Sequence, residues 1–433
     1  MSVRTAMQGN VMDRRVFLRG TLAGGATGVA MMDGGVPSLA SDAPGSDKPT
    51  SGQKQVLFIW LSGGASQFEM WDPKPGRETG GPFRTIPTAI PGYQCCELMP
   101  KLAGMMDRLT VVRSLDTKIT AHAPAADLVS TGRTKEPSLA YPEIGVILAR
   151  ELARPHSTLP GYISIFRSTE GRRRPSTGFY GGHYAPVLLE DGIRPRNIDV
   201  PDGLSSGQYD EREKLRRLFS EKFAERRAGG ELVDSYNGAF DRARGLMDSH
   251  EVFNVDAEPE TERIKYGPTE FGRHALLARR LLEAGVPVVK VARGFWDSHH
   301  DNFESHRELV PDFDNVMSVL LEDLQQRGIL DHTHVFVLSE FGRTPKINKD
   351  VGRDHYAAAW SFMMAGSGVQ PGAVYGKTDK DGIEVADGKA GPGDIAATIY
   401  RAVGCDPWKH YMYGQRPVPL APEDAEPIEA VLA

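Results

Sequence analysis

Apolar positions along the chain fall into two patterns. Short continuous runs occur at 56–61, 109–115, 162–166, 286–292, 334–338 and 360–365. Runs of this length, stopped by glycine or polar residues, are those of strands buried on both faces, as in a parallel sheet. Between several of them the apolar spacing changes to that of a helix. Ile144, Ile147 and Leu148 share one face of 142–153, Leu276, Leu277 and Leu281 one face of 271–284, and Val316, Val319, Leu320 and Leu324 one face of 315–327. Strands alternating with helices predict an α/β fold, a mostly parallel central sheet sandwiched by helices. In such sheets ligands sit beyond the carboxyl ends of the strands.

Two stretches depart from the alternation. Residues 168–260 are first rich in Gly, Pro and Arg and then charged and helix-like, which predicts an inserted helical subregion covering one sheet edge. The end of the chain is Pro-rich loop after a short helix at 394–403, with Asp394 as its N-cap. The expected organisation is a leader at 1–40, a Pro/Gly/Ser linker at 41–52, one domain at 53–420 and a tail at 421–433.

Composition narrows the function. Apolar residues make up 40% and charged residues 25% of the chain, and the net charge is −6 with both signs interspersed, which excludes a general nucleic-acid binder. Three cysteines, two of them adjacent (Cys95 and Cys96), cannot form a disulfide framework. Arg14-Arg15, a modest Gly/Ala-rich apolar run and Ser38-Leu39-Ala40 form a twin-arginine export signal, too glycine-rich for a stable membrane span. The twin-arginine translocase is the implied partner in export, and the periplasm or another extracytoplasmic space the implied location.

Three blocks carry the candidate chemistry. They are Trp296-Asp297-Ser298-His299-His300-Asp301-Asn302-Phe303, Ser339-Glu340-Phe341-Gly342-Arg343 and Gly352-Arg353-Asp354-His355-Tyr356. Each follows, or lies just beyond, a predicted strand, so their carboxylates and imidazoles gather at one sheet edge. A divalent metal is the simplest reason to gather them, and imidazole with carboxylate suits zinc, manganese or iron better than calcium. The candidate ligands are Asp297, His299, His300, Glu340, Asp354 and His355, with Glu340 open to a second reading as a buried partner of Arg343. Arg343 and Arg353 can clamp an anion bidentately or pair within the loop. Arg172-Arg173-Arg174 is either a patch for an acidic ligand or a solvated cluster. Gly63-Gly64 reads equally as an anion cradle or a tight turn.

The stretch from His122 through Pro124 to Thr131-Gly132-Arg133 resembles the register of sulfatases, in which Cys or Ser, any residue and Pro precede Thr-Gly-Arg. A closer resemblance is carried by Leu61-Ser62-Gly63-Gly64-Ala65-Ser66-Gln67, Trp71-Asp72-Pro73-Lys74-Pro75, Tyr266-Gly267, the run 278–286 and the three blocks above. On these the chain is identified as a member of a family of twin-arginine-exported bacterial proteins of unknown function, grouped with the alkaline phosphatase/sulfatase superfamily. The resemblance implies that superfamily's fold and a metal, zinc or manganese, held by Asp297, His299 and His355, with His300 or Asp301 as substitutes. It places His122 where the superfamily has its nucleophile, Gly63-Gly64 where a second metal's Asp stands, and Glu340-Phe341 where an Asp-His pair stands, so a second metal site is eroded or rebuilt. His122 and Arg343 are then the catalytic candidates, with a metal-bound hydroxide as attacker and His122 as ligand or base, while Arg133 and Arg353 are candidates for binding substrate. Ser130 and Thr131 lie too far along the helix to replace the nucleophile. The activity implied is hydrolysis of a phosphate or sulfate ester, the substrate a small anionic ester or a sulfated or phosphorylated glycan. The alternative is a non-catalytic envelope protein that keeps the fold and binds a ligand or partner.

Overall fold

In a computed structural model of the chain, which describes residues 52–154, 157, 159–167, 175–196, 198–225 and 230–433, the six predicted runs and two short strands that they did not include form one eight-stranded sheet. Its strands are β1 (Gln55–Leu61), β2 (Leu109–Leu115), β3 (Tyr162–Phe166), β4 (Val187–Glu190), β5 (Val288–Arg293), β6 (Thr333–Leu338), β7 (Trp360–Gly366) and β8 (Val374–Tyr375). They lie in the order β8-β2-β7-β6-β1-β5-β3-β4. β1 pairs in parallel with both β5 and β6, and β3 with β5 and β4. Only β7 runs against its neighbours β2 and β6. The sheet is therefore mostly parallel, and β7 alone begins at the edge where the others end.

Every residue of β1 is buried, and alternate side chains serve two cores. Leu57, Ile59 and Leu61 meet helices α5 (Glu270–Glu283) and α6 (Asn302–Gln326) on one face. Val56, Phe58 and Trp60 meet α2 (Ile144–Glu151) and α7 (Pro392–Val403) on the other. Burial on both faces is why these strands read as continuous apolar runs rather than as alternations. Arg279 of α5 is also fully buried, and its guanidinium lies 2.7 Å from Glu258, 2.7 Å from Glu283 and 3.2 Å from Asp323.

Some expectations change in detail. The helix expected at 315–327 begins at Asn302, because Pro311 lies inside it and reads as a breaker in sequence. Asp394 is not the N-cap of α7: Gly391 is, and the Asp394 carboxylate accepts the Gly391 N–H from the first turn at 2.7 Å. The expected tail packs against the domain, with Ile428 and Val431 in the core and Leu432 bridged to Val369. In the inserted region, β4 is the edge strand, followed by α3 (Ser206–Glu225) and α4 (Gly230–Asp248). The export signal at 1–40, most of the linker and Arg172-Arg173-Arg174 lie outside the described residues. Among the described residues no helix is long and apolar enough to cross a membrane.

Candidate metal centre

The carboxyl edge of the sheet collects the candidate residues, each delivered by a different connection. α1 (His122–Thr131), which follows β2, places His122 at its first turn. Asp297 and His299 stand in the loop between β5 and α6, Glu340 and Arg343 follow β6, and Asp354 and His355 lie in the approach to β7. A reversed strand is what lets His355, late in the chain, reach an edge otherwise built from strand exits.

The loops close on one another through backbone bonds. Arg353 N–H donates to the Ser298 carbonyl at 3.0 Å, Asp301 N–H to Asp350 at 3.1 Å and Asn302 N–H to Val351 at 3.1 Å. Gly63 and Gly64 turn the chain out of β1 with φ of 115° and 88°. A Cβ on Gly63 would stand 2.6 Å from the Asp297 nitrogen, and one on Gly64 2.6 Å from the Phe341 ring. The two glycines make a tight turn that admits the Asp297 loop. The Gly63 N–H donates to Glu340 Oε1 at 2.8 Å.

Three imidazoles surround the Asp297 carboxylate. His122 Nε2 lies 3.2 Å from Oδ2, while His299 Nε2 and His355 Nε2 lie 3.1 Å and 3.0 Å from Oδ1. The other nitrogen of each ring is held from behind. His122 Nδ1 is 2.9 Å from Glu340 Oε1, His299 Nδ1 is 2.7 Å from Asp354 Oδ1, and His355 Nδ1 is 2.7 Å from the Thr120 carbonyl. A carbonyl or an ionised carboxylate can only accept, so each Nδ1 carries the proton. In the neutral rings every Nε2 then turns a lone pair inward. His299 Nε2 and His355 Nε2 are 2.9 Å apart, an approach that requires a cation, either a proton or a metal ion, to offset lone-pair repulsion.

The donor set fits a divalent transition metal. Ligand atoms at about 2.05 Å from an ion in tetrahedral directions stand about 3.3 Å from one another, and Asp297 Oδ1, His299 Nε2 and His355 Nε2 lie 3.1, 3.0 and 2.9 Å apart. His122, Asp297 and His355 each offer an atom within 4.8 Å of the others. Asp297, Glu340 and Asp354 against the one guanidinium of Arg343 leave two negative charges around neutral imidazoles, which a divalent ion balances. Imidazole with one carboxylate suits zinc or manganese. The cluster is also open: the side chains of His122, Asp297 and His299 are 41%, 42% and 36% exposed. Structural metal sites are closed, whereas catalytic ones keep a position free.

Electrostatics agree with this arrangement. Burial raises the Asp297 carboxyl pKa, but hydrogen bonds with His122, His355 and Arg343 outweigh it and hold the group well below the carboxylate range. Hydrogen bonds with Asp297 and then Glu340 raise His122 to about 9, so without a metal it is a cation bonded on both nitrogens. The bond with His299 lowers Asp354.

The other candidates lie around the cluster or away from it. Arg343 is completely buried, 2.6 Å from Asp297 Oδ1, with its remaining donors on the carbonyls of Gly63, Gly64 and Arg353. It pairs with Asp297 rather than with Glu340, which sits behind His122. Arg353 is equally buried and binds Glu69 at 2.9 Å and the carbonyls of Thr79, Thr344 and Pro345, facing away from the open edge. Arg133 donates to the Pro419 carbonyl at 2.7 Å and stacks over Tyr141 beyond the far end of α1. His300 is outside the cluster, 3.7 Å from Asp350. Thr131 Oγ1 bonds the Asp127 carbonyl on the same helix. Asn348 and Thr120 went unnoticed in the sequence. Asn348 Nδ2 donates to the His299 carbonyl at 2.9 Å, and the Asn348 side chain also accepts from Asp350 and Gly352, an Asx turn legible in Asn348-Lys349-Asp350-Val351-Gly352. Thr120 acts through its backbone and leaves no residue-type signal.

The chain belongs to the family described as protein of unknown function (DUF1501), whose model matches residues 53–432. No curated protein matches it. Among solved structures it is similar to the PsFucS1 sulfatase from Pseudoalteromonas sp., with 12% identity, coverage of 82% of this chain and 68% of that one, and a TM-score of 0.38. It is also similar to the lipoteichoic acid synthase LtaP from Listeria monocytogenes, with 9% identity, 88% and 76% coverage and a TM-score of 0.39. For the C-terminal periplasmic domain of EcEptC from Escherichia coli, in complex with Zn, the values are 9%, 86% and 94%, and 0.38.

Proposed function

We propose that this protein is an exported, metal-dependent hydrolase of phosphate or sulfate esters, with one divalent ion, zinc or manganese, held by Asp297, His299 and His355, and with His122 beside it as a further ligand or a base. The observation that carries the metal reading is the convergence of three Nε2 lone pairs on one carboxylate, each imidazole locked by an acceptor on its Nδ1. Acceptors of this kind fix the tautomer and raise the basicity of metal-binding histidines. Its exposure supports a catalytic rather than a structural use. When bound, such an ion polarises an ester oxygen and acidifies water. The chain supplies the rest. Glu340 aims His122, Asp354 and Asn348 aim His299, the Thr120 carbonyl aims His355, and Arg343 fixes Asp297 while offsetting its charge. The substrate is a small anionic ester or a sulfated or phosphorylated glycan, in keeping with the sulfatase-like register around His122.

One observation favours a second reading, a non-catalytic binding protein. Both nitrogens of His122, which stands where the superfamily has its nucleophile, are engaged, and among the described residues no hydroxyl bonds the inward-facing nitrogens or Asp297. Elemental analysis of exported protein, with His299→Ala and His355→Ala, tests the metal: one ion per chain in wild type and loss in both variants is expected, and wild type without metal overturns the proposal. A panel of aryl phosphates and aryl sulfates then separates the readings. Turnover by wild type that His122→Ala abolishes supports the hydrolase, and a metal-loaded but inert wild type supports the binder.

A further inference from the structure

A cavity of about 300 Å³ opens at the same carboxyl edge, one strand further along the sheet. Arg167 follows the last residue of β3, Arg293 is the last residue of β5, and Thr269, Glu270 and His274 come from the start of α5. His274 is only 3% exposed and makes no hydrogen bond among the described residues, although it lines the cavity. Burial, then the positive charges of Arg167, Arg273 and Arg293, push its pKa down to about 4. At neutral pH it is an uncharged imidazole with one N–H to donate, set beside guanidinium groups. That N–H faces the cavity and is available to a ligand that accepts it.

The remaining contacts indicate the ligand's charge. Arg167 Nε is 2.9 Å from Glu270 Oε2, a pair with both side chains substantially exposed, and Arg293 Nη2 is 3.4 Å from Asp312 Oδ2. Thr269 Oγ1 is already committed to Asp312 and to the Gly272 N–H. The donors that can turn to a ligand are guanidinium and imidazole N–H groups, which suit an oxyanion. In the segment that joins cavity and metal centre, Phe295 is 56% exposed, with φ of 72° and its ring 5.9 Å from the Arg167 guanidinium carbon. A bulky side chain held in the left-handed region is an uncommon, strained conformation of the kind that clusters at ligand sites. Asp297 is the fourth residue after Arg293, so their Cα atoms are at most about 14 Å apart.

We propose that this cavity is a second oxyanion subsite, in which Arg167, His274 and Arg293 hold a sulfate or phosphate group of the same substrate whose ester is presented to the metal. The substrate class is then a molecule carrying at least two such groups, spaced to span the short segment that joins Arg293 to Asp297. The inference rests on the hydrolase reading for the link between the two positions, and not for the subsite itself.

The test is calorimetric titration of inorganic sulfate and of inorganic phosphate into the full chain stripped of metal by chelation. One oxyanion per chain is expected. Arg167→Ala removes a partly exposed side chain and is expected to weaken binding by about 10- to 100-fold, the loss of one or two charge-assisted hydrogen bonds. His274→Phe keeps the volume, removes the N–H and is expected to weaken it by about tenfold. Glu270→Gln frees Arg167 from its competing carboxylate and is expected to tighten binding several-fold, a gain that misfolding cannot imitate. Wild-type affinity in both Arg167→Ala and Glu270→Gln overturns the subsite, as does sulfate binding that His299→Ala abolishes and Arg167→Ala leaves intact. Because the titration needs neither metal nor turnover, it reads the cavity even if the hydrolase reading fails.

Discussion

Arg279 and Asp297 each lie at the centre of a charged cluster, and the clusters follow opposite rules. Around Arg279 cations alternate with carboxylates. Glu258 meets Arg279 and Arg280, Glu283 meets Arg279 and Arg327, and Asp323 meets Arg279 and Arg327, so three guanidiniums face three carboxylates away from the open sheet edge. Around Asp297 four basic groups turn to one carboxylate, two of them nitrogen to nitrogen, in contact with solvent. The first cluster balances its own charge, three guanidiniums against three carboxylates, and charges paired in this way tie the fold together. The second is incomplete without a cation, and that incompleteness is what marks it as a site for a ligand.

The largest effect that would test this contrast is Arg279→Met. Removing the fully buried guanidinium that all three carboxylates share, although Glu258 keeps Arg280 and Asp323 keeps Arg327, is expected to lower unfolding stability by about 3 kcal/mol in urea titrations. Metal content per folded chain should not change, and a parallel loss of metal would break the contrast. Next comes His355→Ala, expected to weaken metal binding by more than the roughly 100-fold upper range for residues behind the ligands. Thermal unfolding of the metal-free variant should stay near that of metal-free wild type, since the deletion also removes one of two facing lone pairs. Smaller again are Glu340→Gln and Asp354→Asn, each expected to lower metal affinity by about 10- to 100-fold in competition with a chelator. No loss in either would mean that the carboxylates do not orient His122 and His299.

The smallest effect is in the pH dependence. Without metal, His122 is raised to about 9, above its ordinary value near 6.5. Its contribution to the stability of the metal-free fold is therefore fully present below about 6.5 and is lost as pH rises through about 9. A metal ion displaces the inward proton, so affinity should rise with pH up to about 9, by at most about tenfold per unit for one proton. Calorimetry in buffers of different ionisation enthalpy counts that proton. A proton count of zero at pH 7 would remove His122 from the ligand set.

Much of the fold was legible because its strands are buried on both faces and so appear as uninterrupted apolar runs. The start of α6 was not, since Pro311 mimics a helix end and Asp301, just before Asn302, takes a left-handed conformation that no local pattern announces. At the site, residue types and the family resemblance together located Asp297, His299 and His355. The division between inward-facing groups and those behind them could not be read, because it depends on which nitrogen of each ring is anchored. That choice is made by Glu340, Asp354 and the Thr120 carbonyl across the tertiary fold. Nor could the sequence show that Arg353 turns away from the open edge, because its partner Glu69 lies 284 residues away.

The reversed strand β7 also sets an order of assembly. β2, which leads into the His122 helix, joins the rest of the sheet through β7, and β7 begins just after His355. His355 in turn anchors on Thr120, 235 residues earlier in the chain. Closing contacts of that span is slow relative to forming local helices. Until β7 docks, His122 and His355 have no common frame with Asp297. If the proposed metal centre is correct, tight metal capture would report that the last interior strand is in place, since a chain caught with β7 undocked has its histidines but no centre.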